Sequence, residues 1–137
     1  MIFVDTNIIM DVLEREPTPH GEWSRRVFAR EAGGGPLVAN LIVAAELSGQ
    51  VQDVAGLKDT LASADIKLLD LDLATAYRAG TAFRLYRQRG GQRTAILPDF
   101  FIAAHAETIG ATLMTRDRGL ASYFPDLTLL TPETDHG

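Results

Sequence analysis

The sequence contains no cysteine, which excludes a disulfide framework and a thiolate metal site. No apolar run approaches the roughly 18 residues that a membrane-spanning helix needs. The first residues, Met1 to Asp5, lack the basic segment and the long apolar stretch of a signal peptide. These absences favour a cytoplasmic protein.

Positive charge is also scarce, since 13 basic residues against 18 acidic ones give a formal net charge of −5. A nucleic-acid-binding protein usually presents a basic face, so this net charge has the wrong sign for that class. The arginines are nevertheless grouped, and a guanidinium suits phosphate because its planar fork donates two hydrogen bonds at once. Their spacing leaves two interpretations open, solvated helix faces or contacts to RNA. The first group is Arg25, Arg26 and Arg30, and the second, the candidate RNA-binding set, is Arg84, Arg87, Arg89 and Arg93.

The length of 137 residues suits one domain, and an apolar content of 46% is enough to fill its core. The last six residues are mostly polar. We therefore predict a single domain over residues 1–131, followed by a frayed tail over residues 132–137.

Short apolar, β-branched runs alternate with helical patterns along the chain. This alternation predicts an α/β fold with right-handed crossovers, a mainly parallel sheet and helices on both of its faces. The predicted strands are Ile2 to Val4, Leu37 to Ala39, Ile66 to Leu69, Thr112 to Met114 and Leu127 to Leu130. The predicted helices are Thr6 to Leu13, Pro19 to Ala32, one capped by Asn40 and running to Ser48, one capped by Asp53 and running to Ala62, Leu73 to Arg89, and one from Pro98 to near Gly110.

Four acidic residues are predicted at one edge of this sheet. Asp5 follows the first strand and Asp117 follows the fourth, while Asn40 opens the helix that carries Glu46. Asp99 lies in the first turn of the last predicted helix. Ligands of open α/β sheets collect at the carboxyl ends of the strands, so the four carboxylates can meet there.

Each acid also has a purely structural interpretation, because a carboxylate near a helix N-terminus accepts hydrogen bonds from free backbone amides. Helical periodicity weakens that interpretation for Glu46 and Asp99. Each shares a helix face with apolar residues three or four positions away. We infer that both acids point toward the core, where an ionised carboxylate is costly without a partner. A metal ion would supply that partner, and protonation would remove the need for one.

Converging carboxylates would favour a cation. Like charges about 4 Å apart repel by roughly 4 kcal/mol per pair at an effective dielectric constant near 20. A site built from oxygen ligands alone selects hard ions, so Mg²⁺ or Mn²⁺ is favoured over Zn²⁺. Such an ion can lower the pKa of water and neutralise charge on a phosphodiester under attack.

Other candidate motifs indicate little. The histidines, His20, His105 and His136, form no i, i+4 pair and are not expected to have a catalytic role. The run Gly33-Gly34-Gly35 lacks the Lys-Ser/Thr that follows the glycines of a phosphate-binding loop, so we interpret it as a bend.

Four segments together resemble a known family, the PIN-domain ribonucleases, and within it the VapC-type toxins of bacterial toxin–antitoxin pairs. The resemblance covers nearly the whole chain in order and spacing and is strongest from Pro98 to Asp117. Each motif is short, but four in the right order are specific. The segments are Asp5-Thr6-Asn7, the lone helical Glu46, Pro98-Asp99-Phe100-Phe101-Ile102-Ala103-Ala104-His105-Ala106, and Leu113-Met114-Thr115-Arg116-Asp117.

The resemblance implies a PIN-like nuclease domain, a three-layer α/β/α sandwich around a five-stranded parallel sheet. It also implies cleavage of RNA that depends on Mg²⁺ or Mn²⁺, a homodimer, and an antitoxin protein whose tail blocks the site. The matching acids, implied as metal ligands and catalytic residues, are Asp5, Glu46, Asp99 and Asp117. The matching polar neighbours, implied to orient them, are Thr6, Asn7 and Thr115. The segment Gly90-Gly91-Gln92 departs from the pattern, and we interpret it as a mobile loop beside the substrate.

Two other functions stay open. A phosphoryl-transfer domain, either receiver-like or a haloacid-dehalogenase-type phosphatase, also places acids at strand ends and binds Mg²⁺. It needs a lysine near the phosphate, however, and the chain has only Lys58 and Lys67. A non-catalytic RNA- or protein-binding module would use the acids as helix caps, and Asn would then replace Asp without loss.

Overall fold

A computed structural model describes residues 1–16 and 18–137 of the chain. The strands are β1 (Ile2–Val4), β2 (Leu37–Asn40), β3 (Ile66–Leu69), β4 (Thr112–Met114) and β5 (Thr128–Leu130). The helices are α1 (Thr6–Leu13), α2 (Pro19–Ala32), α3 (Leu41–Leu47), α4 (Val54–Ser63), α5 (Leu73–Gln88) and α6 (Pro98–Thr108), with short 3-10 helices at Ser48–Gln50 and Ala121–Tyr123.

The five strands form one sheet in the order β3-β2-β1-β4-β5, and every neighbouring pair is parallel. The strand β1 is central, with Ile2 opposite both Leu37 of β2 and Thr112 of β4. The predicted parallel sheet is therefore confirmed. The strand boundaries differ from the prediction by one residue at β2 and one at β5.

The order of the strands explains why helices cover both faces. From β1 the chain moves outward to β2 and β3, and then it returns past β1 to β4 and β5. Crossovers between parallel strands are right-handed, so this reversal puts α5 and α6 on the face opposite α1 to α4. The predicted three-layer α/β/α architecture is thus confirmed.

The hydrophobic core lies between the central strands and the helices that cover them. Strands buried on both faces consist of continuous apolar runs, and β1, β2 and β4 have this composition. Core side chains with almost no exposure include Phe3, Val4, Val38, Met114 and Phe100.

Side chains at helix starts fix where the elements begin. The predicted caps Asn40 and Asp53 both accept backbone N–H bonds, at the starts of α3 and α4. Asp72 caps α5 in the same way, with its side chain accepting from the amide of Thr75. The helix α5 ends before Gly90, whose φ of 92° is unfavourable for residues with a side chain.

Two segments expected to be loose are tied to helices. The carbonyl oxygens of Gly91 and Arg93 both accept from the guanidinium of Arg87, at 3.0 Å. In the tail, Asp135 accepts from the indole of Trp23 at 3.0 Å and from Arg30. The helix α5 thus holds the backbone of the glycine segment through Arg87, and the mobility of that segment stays a prediction. The domain boundary at residue 131 stays a prediction, although the tail is anchored to α2 at this point.

Along the described residues, no helix is both long enough and apolar enough to cross a membrane.

Candidate active site

The end of β1 provides the first acid of the site. Asp5 caps α1, with Oδ1 accepting from the amide of Thr6 at 2.7 Å. Its Oδ2 accepts from the hydroxyl of Thr115 at 2.6 Å and from the Asn7 amide at 3.4 Å. Both carboxylate oxygens of Asp5 are thus hydrogen-bonded, to the predicted polar neighbours Thr6, Asn7 and Thr115.

The loop after β4 provides a second acid. The amide N–H of Asp117 donates to Thr115 Oγ1 at 3.0 Å, and Asp117 Oδ1 accepts from the amide of Gly119 at 2.8 Å. Asn7 joins this loop to α1, because its Oδ1 accepts from the amide of Arg116 and its Nδ2 donates to Thr115 Oγ1. Thr115 is fully buried. One hydroxyl therefore positions Asp5 and Asp117 together.

The other two acids come from helices. Glu46, in the last turn of α3, accepts from the hydroxyl of Thr6 at 2.7 Å. Asp99 lies in the first turn of α6, whose N-cap residue Leu97 makes no side-chain cap bond. Both Glu46 and Asp99 are exposed, so the inference that they point toward the core is wrong. Glu46 lies in the last turn of its helix and Asp99 in the first turn of its own. At these ends the helix face that is buried elsewhere is open to a cleft.

The four acids meet at one cavity. A space of about 210 Å³ is lined by Asp5, Thr6, Asn7, Met10, Glu46, Asp99 and Asp117. A smaller pocket beside it shares three of these acids and is otherwise mostly apolar, with Arg118 at its edge. The predicted convergence of acids at the carboxyl edge of the sheet is therefore present in the structure. We call the larger space the acidic cleft.

The cleft is electrostatically uncompensated. Burial raises the pKa of Asp5 to about 6, and the charges of Asp99 and Glu46 add to this against the hydrogen bonds from Thr115 and Thr6. Desolvation of its carboxyl group also raises the pKa of Asp99, and the charges of Glu46 and Asp117 raise it further. Both shifts mean that the cleft resists holding all its negative charge.

The structural interpretation of the acids is correct only in part. Asp5 does cap α1, and Asp117 closes a turn. Glu46 and Asp99 make no hydrogen bond to a backbone amide among the described residues. Capping therefore does not account for all four acids.

The donor set fits a hard divalent cation, since it consists of carboxylate oxygens with threonine hydroxyls and an asparagine behind them. The raised pKa values point the same way, because a cation would offset both the desolvation that mainly causes them and the repulsion that adds to it. As the side chains stand, however, no group of three or more histidine or acidic residues in the described part of the chain is arranged to hold an ion. Cation binding would therefore require the carboxylates to adjust.

The four candidate RNA-binding arginines lie apart from these acids. Among the described residues, the lining of the acidic cleft includes none of them. Arg87 holds the glycine segment, Arg89 lies over the ring of Tyr123 at 5.3 Å, and Arg84 over that of Tyr77 at 5.8 Å. Sequence reasoning missed Arg118, the basic residue beside the acids. Its position next to Asp117 was the available signal.

Comparisons with known proteins agree with this fold. Solved structures with the same fold include VapBC2 from Rickettsia felis bound to a DNA fragment from their promoter, which is 21% identical with a TM-score of 0.71, over 96% of this chain and 98% of that one. FitAcB from Neisseria gonorrhoeae is 22% identical with a TM-score of 0.64, over 98% of this chain and 100% of that one. VapC20 from Mycobacterium tuberculosis, a sarcin–ricin loop cleaving toxin, is 14% identical with a TM-score of 0.60, over 89% of this chain and 94% of that one.

No curated protein sequence matches the chain. The family model of the PIN domain, in contrast, matches residues 2–123, which include all four acids of the cleft. The chain therefore belongs to the PIN-domain family.

Proposed function

We propose that this protein is a metal-dependent endoribonuclease and the toxin of a toxin–antitoxin pair. The observation that carries the proposal is the convergence of Asp5, Glu46, Asp99 and Asp117 on one cavity from four separate elements. The PIN-domain match supports a nuclease, and the similarity to the Mycobacterium tuberculosis toxin supports RNA as the substrate.

In this proposal the four carboxylates of the cleft hold Mg²⁺ or Mn²⁺. When bound, the cation would supply positive charge that favours deprotonation of water and offsets charge on the phosphodiester. Thr115 and Thr6 orient the carboxylates of Asp5 and Glu46 through their hydroxyls. Asn7 fixes the loop that carries Asp117.

The charge of the cleft links substrate binding to the cation. An RNA phosphate brought beside four carboxylates is repelled unless positive charge lies between them. Arg118 lines the adjoining pocket and supplies one positive charge at its edge. We therefore expect RNA to bind productively only when a divalent cation is present.

The proposal is tested by incubating the purified protein with a panel of RNAs, with Mn²⁺ or with a chelator. We expect cleavage in Mn²⁺ and none in chelator. Asp99→Asn should abolish cleavage while the protein stays folded, because Asp99 makes no structural cap. Asp53→Asn is the matched control, since Asp53 caps α4 away from the cleft and Asn caps equally well. Equal cleavage by wild type and Asp99→Asn would refute the ribonuclease assignment.

The toxin assignment rests on the similarity to the Mycobacterium tuberculosis toxin and to VapBC2 from Rickettsia felis. An inhibitor with a basic tail would suit the acidic cleft, because arginine makes charge-assisted bonds to carboxylates. A groove of about 470 Å³ adjoins the cleft at Met10 and could seat the rest of such a partner. We propose an antitoxin as this partner, a homodimer as the assembly and the cytoplasm as the location.

Expression in a bacterial host tests the toxin assignment. The wild type should arrest growth, and Asp5→Asn should not. Co-expression with the gene product encoded beside it should restore growth and yield a complex. If the wild type is harmless at high expression and copurifies with nothing from its native locus, the toxin assignment fails, and the ribonuclease assignment can still stand.

A further inference from the structure

Two buried polar side chains lie on elements that lead to the acidic cleft but take no part in lining it. Asn40 is fully buried at the end of β2, and His105 is 3% exposed on α6. Their side chains meet at 3.1 Å, between Asn40 Nδ2 and His105 Nδ1. An unpaired polar group at such a depth is costly, so this contact is one that the folded protein keeps.

The surroundings fix the direction of this hydrogen bond. Asn40 Oδ1 accepts from the amides of Ile42 and Val43, both at 3.1 Å, and thereby caps α3. The amide nitrogen of Asn40 is therefore the atom that faces His105, and it donates. His105 Nδ1 must accept, which places the ring proton on Nε2. Burial lowers the pKa of His105 and favours this neutral form.

The bond joins the two helices that carry exposed acids. Asn40 is the cap from which α3 starts, and Glu46 lies six residues further along that helix. His105 lies six residues after Asp99 on α6. Among the described residues, no other side-chain hydrogen bond connects α3 or its cap to α6. This contact therefore links, through side chains, the helix that carries Glu46 to the helix that carries Asp99.

We propose that Asn40 and His105 are positioning residues that fix the spacing between Glu46 and Asp99 and so set the affinity of the cleft for a divalent cation. The proposal rests on the proposed function, because it requires the cation to bind at these acids. A merely structural role for the pair would lower the melting temperature and leave cation affinity unchanged in the folded protein. The two roles therefore give different results in one experiment.

Three variants separate these roles. His105→Leu removes the acceptor and keeps an apolar side chain of similar bulk. His105→Asn keeps a side-chain acceptor attached at the same carbon as Nδ1, so it should preserve the bond to Asn40. Thr75→Val is the matched control, because it removes a buried hydroxyl that joins α5 to α6 at the end remote from Asp99.

Mn²⁺ binding is measured by titration calorimetry well below each melting temperature, and RNA cleavage at saturating Mn²⁺ is measured alongside. We expect His105→Leu to weaken Mn²⁺ binding about tenfold, the lower end of the loss seen when groups that orient metal ligands are removed. The same variant should lower kcat more than it changes KM for RNA. His105→Asn should restore binding close to the wild-type value, and Thr75→Val should bind as the wild type does.

Wild-type Mn²⁺ affinity in His105→Leu would overturn the positioning role while leaving the proposed function intact. Equal Mn²⁺ binding by wild type and Asp99→Asn would instead show that the cation binds elsewhere, and both proposals would fall. If His105→Leu does not fold, nitrogen NMR of the wild type decides. We expect the Nε2–H tautomer of His105, and a shift of the Asn40 side-chain amide as Mg²⁺ fills the cleft. An Nδ1–H tautomer of His105, or an Asn40 amide whose chemical shift does not change with Mg²⁺, would refute the proposal.

Discussion

The acidic side chains of this protein fall into two sets with different surroundings. Outside the cleft, Asp11, Glu107 and Asp135 each form an ion pair with an arginine. Inside the cleft, no acid has such a partner among the described residues, and the pKa values of Asp5 and Asp99 are raised. The chain thus pairs the acids that join its elements and leaves unpaired the acids that face one another.

The paired set shows what compensation looks like in this fold. Asp11 on α1 accepts from both Nε and Nη2 of Arg116, at 2.6 and 3.2 Å, and from the hydroxyl of Ser24 on α2 at 2.6 Å. Three elements are joined by one carboxylate. The two sets differ in where the arginines point. Arg116, in the same loop as Asp117, pairs with Asp11, and no arginine lines the acidic cleft among the described residues. A cation that binds in the cleft would therefore relieve the repulsion between its carboxylates.

The largest effect on stability is expected where the buried charge of Asp5 is removed. The folded pKa of Asp5, about 6, lies above the ordinary value of 3.8. Protonated Asp5 therefore contributes its full stability to the folded protein below about pH 4, and this stability is lost as the pH rises through about 6. In chelator at pH 8, Asp5→Asn should be more stable than the wild type by up to about 3 kcal/mol, and the difference should shrink toward pH 4. Urea unfolding across this pH range measures it. A wild type that is the more stable protein at pH 8 would mean that Asp5 is compensated after all.

A bound cation should offset the unfavourable negative charge of the cleft without any mutation. Binding to the folded state alone stabilises it by about 2.7 kcal/mol at a hundredfold excess over the dissociation constant. Mg²⁺ or Mn²⁺ should therefore raise the melting temperature of the wild type, and much less that of Asp99→Asn. Thermal unfolding with and without Mn²⁺ makes the comparison. Equal shifts in the two proteins would place the ion outside the cleft.

Removing the partner of a paired acid should lower the stability of the protein instead of raising it. Arg116→Leu leaves the largely buried carboxylate of Asp11 with only Ser24, and we expect a loss of about 2 kcal/mol. Arg118→Leu is the matched control, because the structure shows no ion pair for this exposed neighbour among the described residues. Its unfolding free energy should change by less than about 0.5 kcal/mol. Equal losses in the two variants would show that the pairing of Asp11 contributes nothing special.

The smallest effect concerns the arginines that lie away from the cleft. If Arg84 and Arg89 bind the RNA backbone, the double alanine variant should bind RNA more weakly for every sequence. The slope of its affinity against salt should fall by about one unit for each phosphate that is no longer neutralised. Fluorescence anisotropy in an Asp99→Asn background, which should not cleave, measures both. Unchanged affinity and slope would leave these arginines as a solvated helix face.

Local sequence signals predicted most of the fold. The apolar, β-branched runs predicted all five strands to within one residue, and Asn40 and Asp53 marked helix starts correctly. The reason is that buried parallel strands and capped helices depend on chemistry within a few residues. The position of the four acids followed from one further rule, that ligand sites in such sheets lie at the carboxyl ends of the strands.

What sequence could not predict depends on distant contacts. The exposure of Glu46 and Asp99 was mispredicted because periodicity describes a whole helix, whereas its first or last turn can project into a cleft. His105 shows the same limit, since its partner Asn40 lies 65 residues away in the chain. Asp11 carried no signal at all, because its role comes from Arg116 and Ser24 on other elements.

The register of the central strand has a consequence for how the protein is made. β1 pairs with β4 through Ile2 and Thr112, so the first strand finds one of its two neighbours only after more than a hundred further residues have been synthesised. The hydroxyl of Thr115 reaches Asp5 across the same interval. Contacts of such long range form late, because the loop between them must close first. A chain still emerging from the ribosome therefore has its first acid but lacks the loop that completes the cleft, and the acidic site can form only after Thr115 and Asp117 have been synthesised.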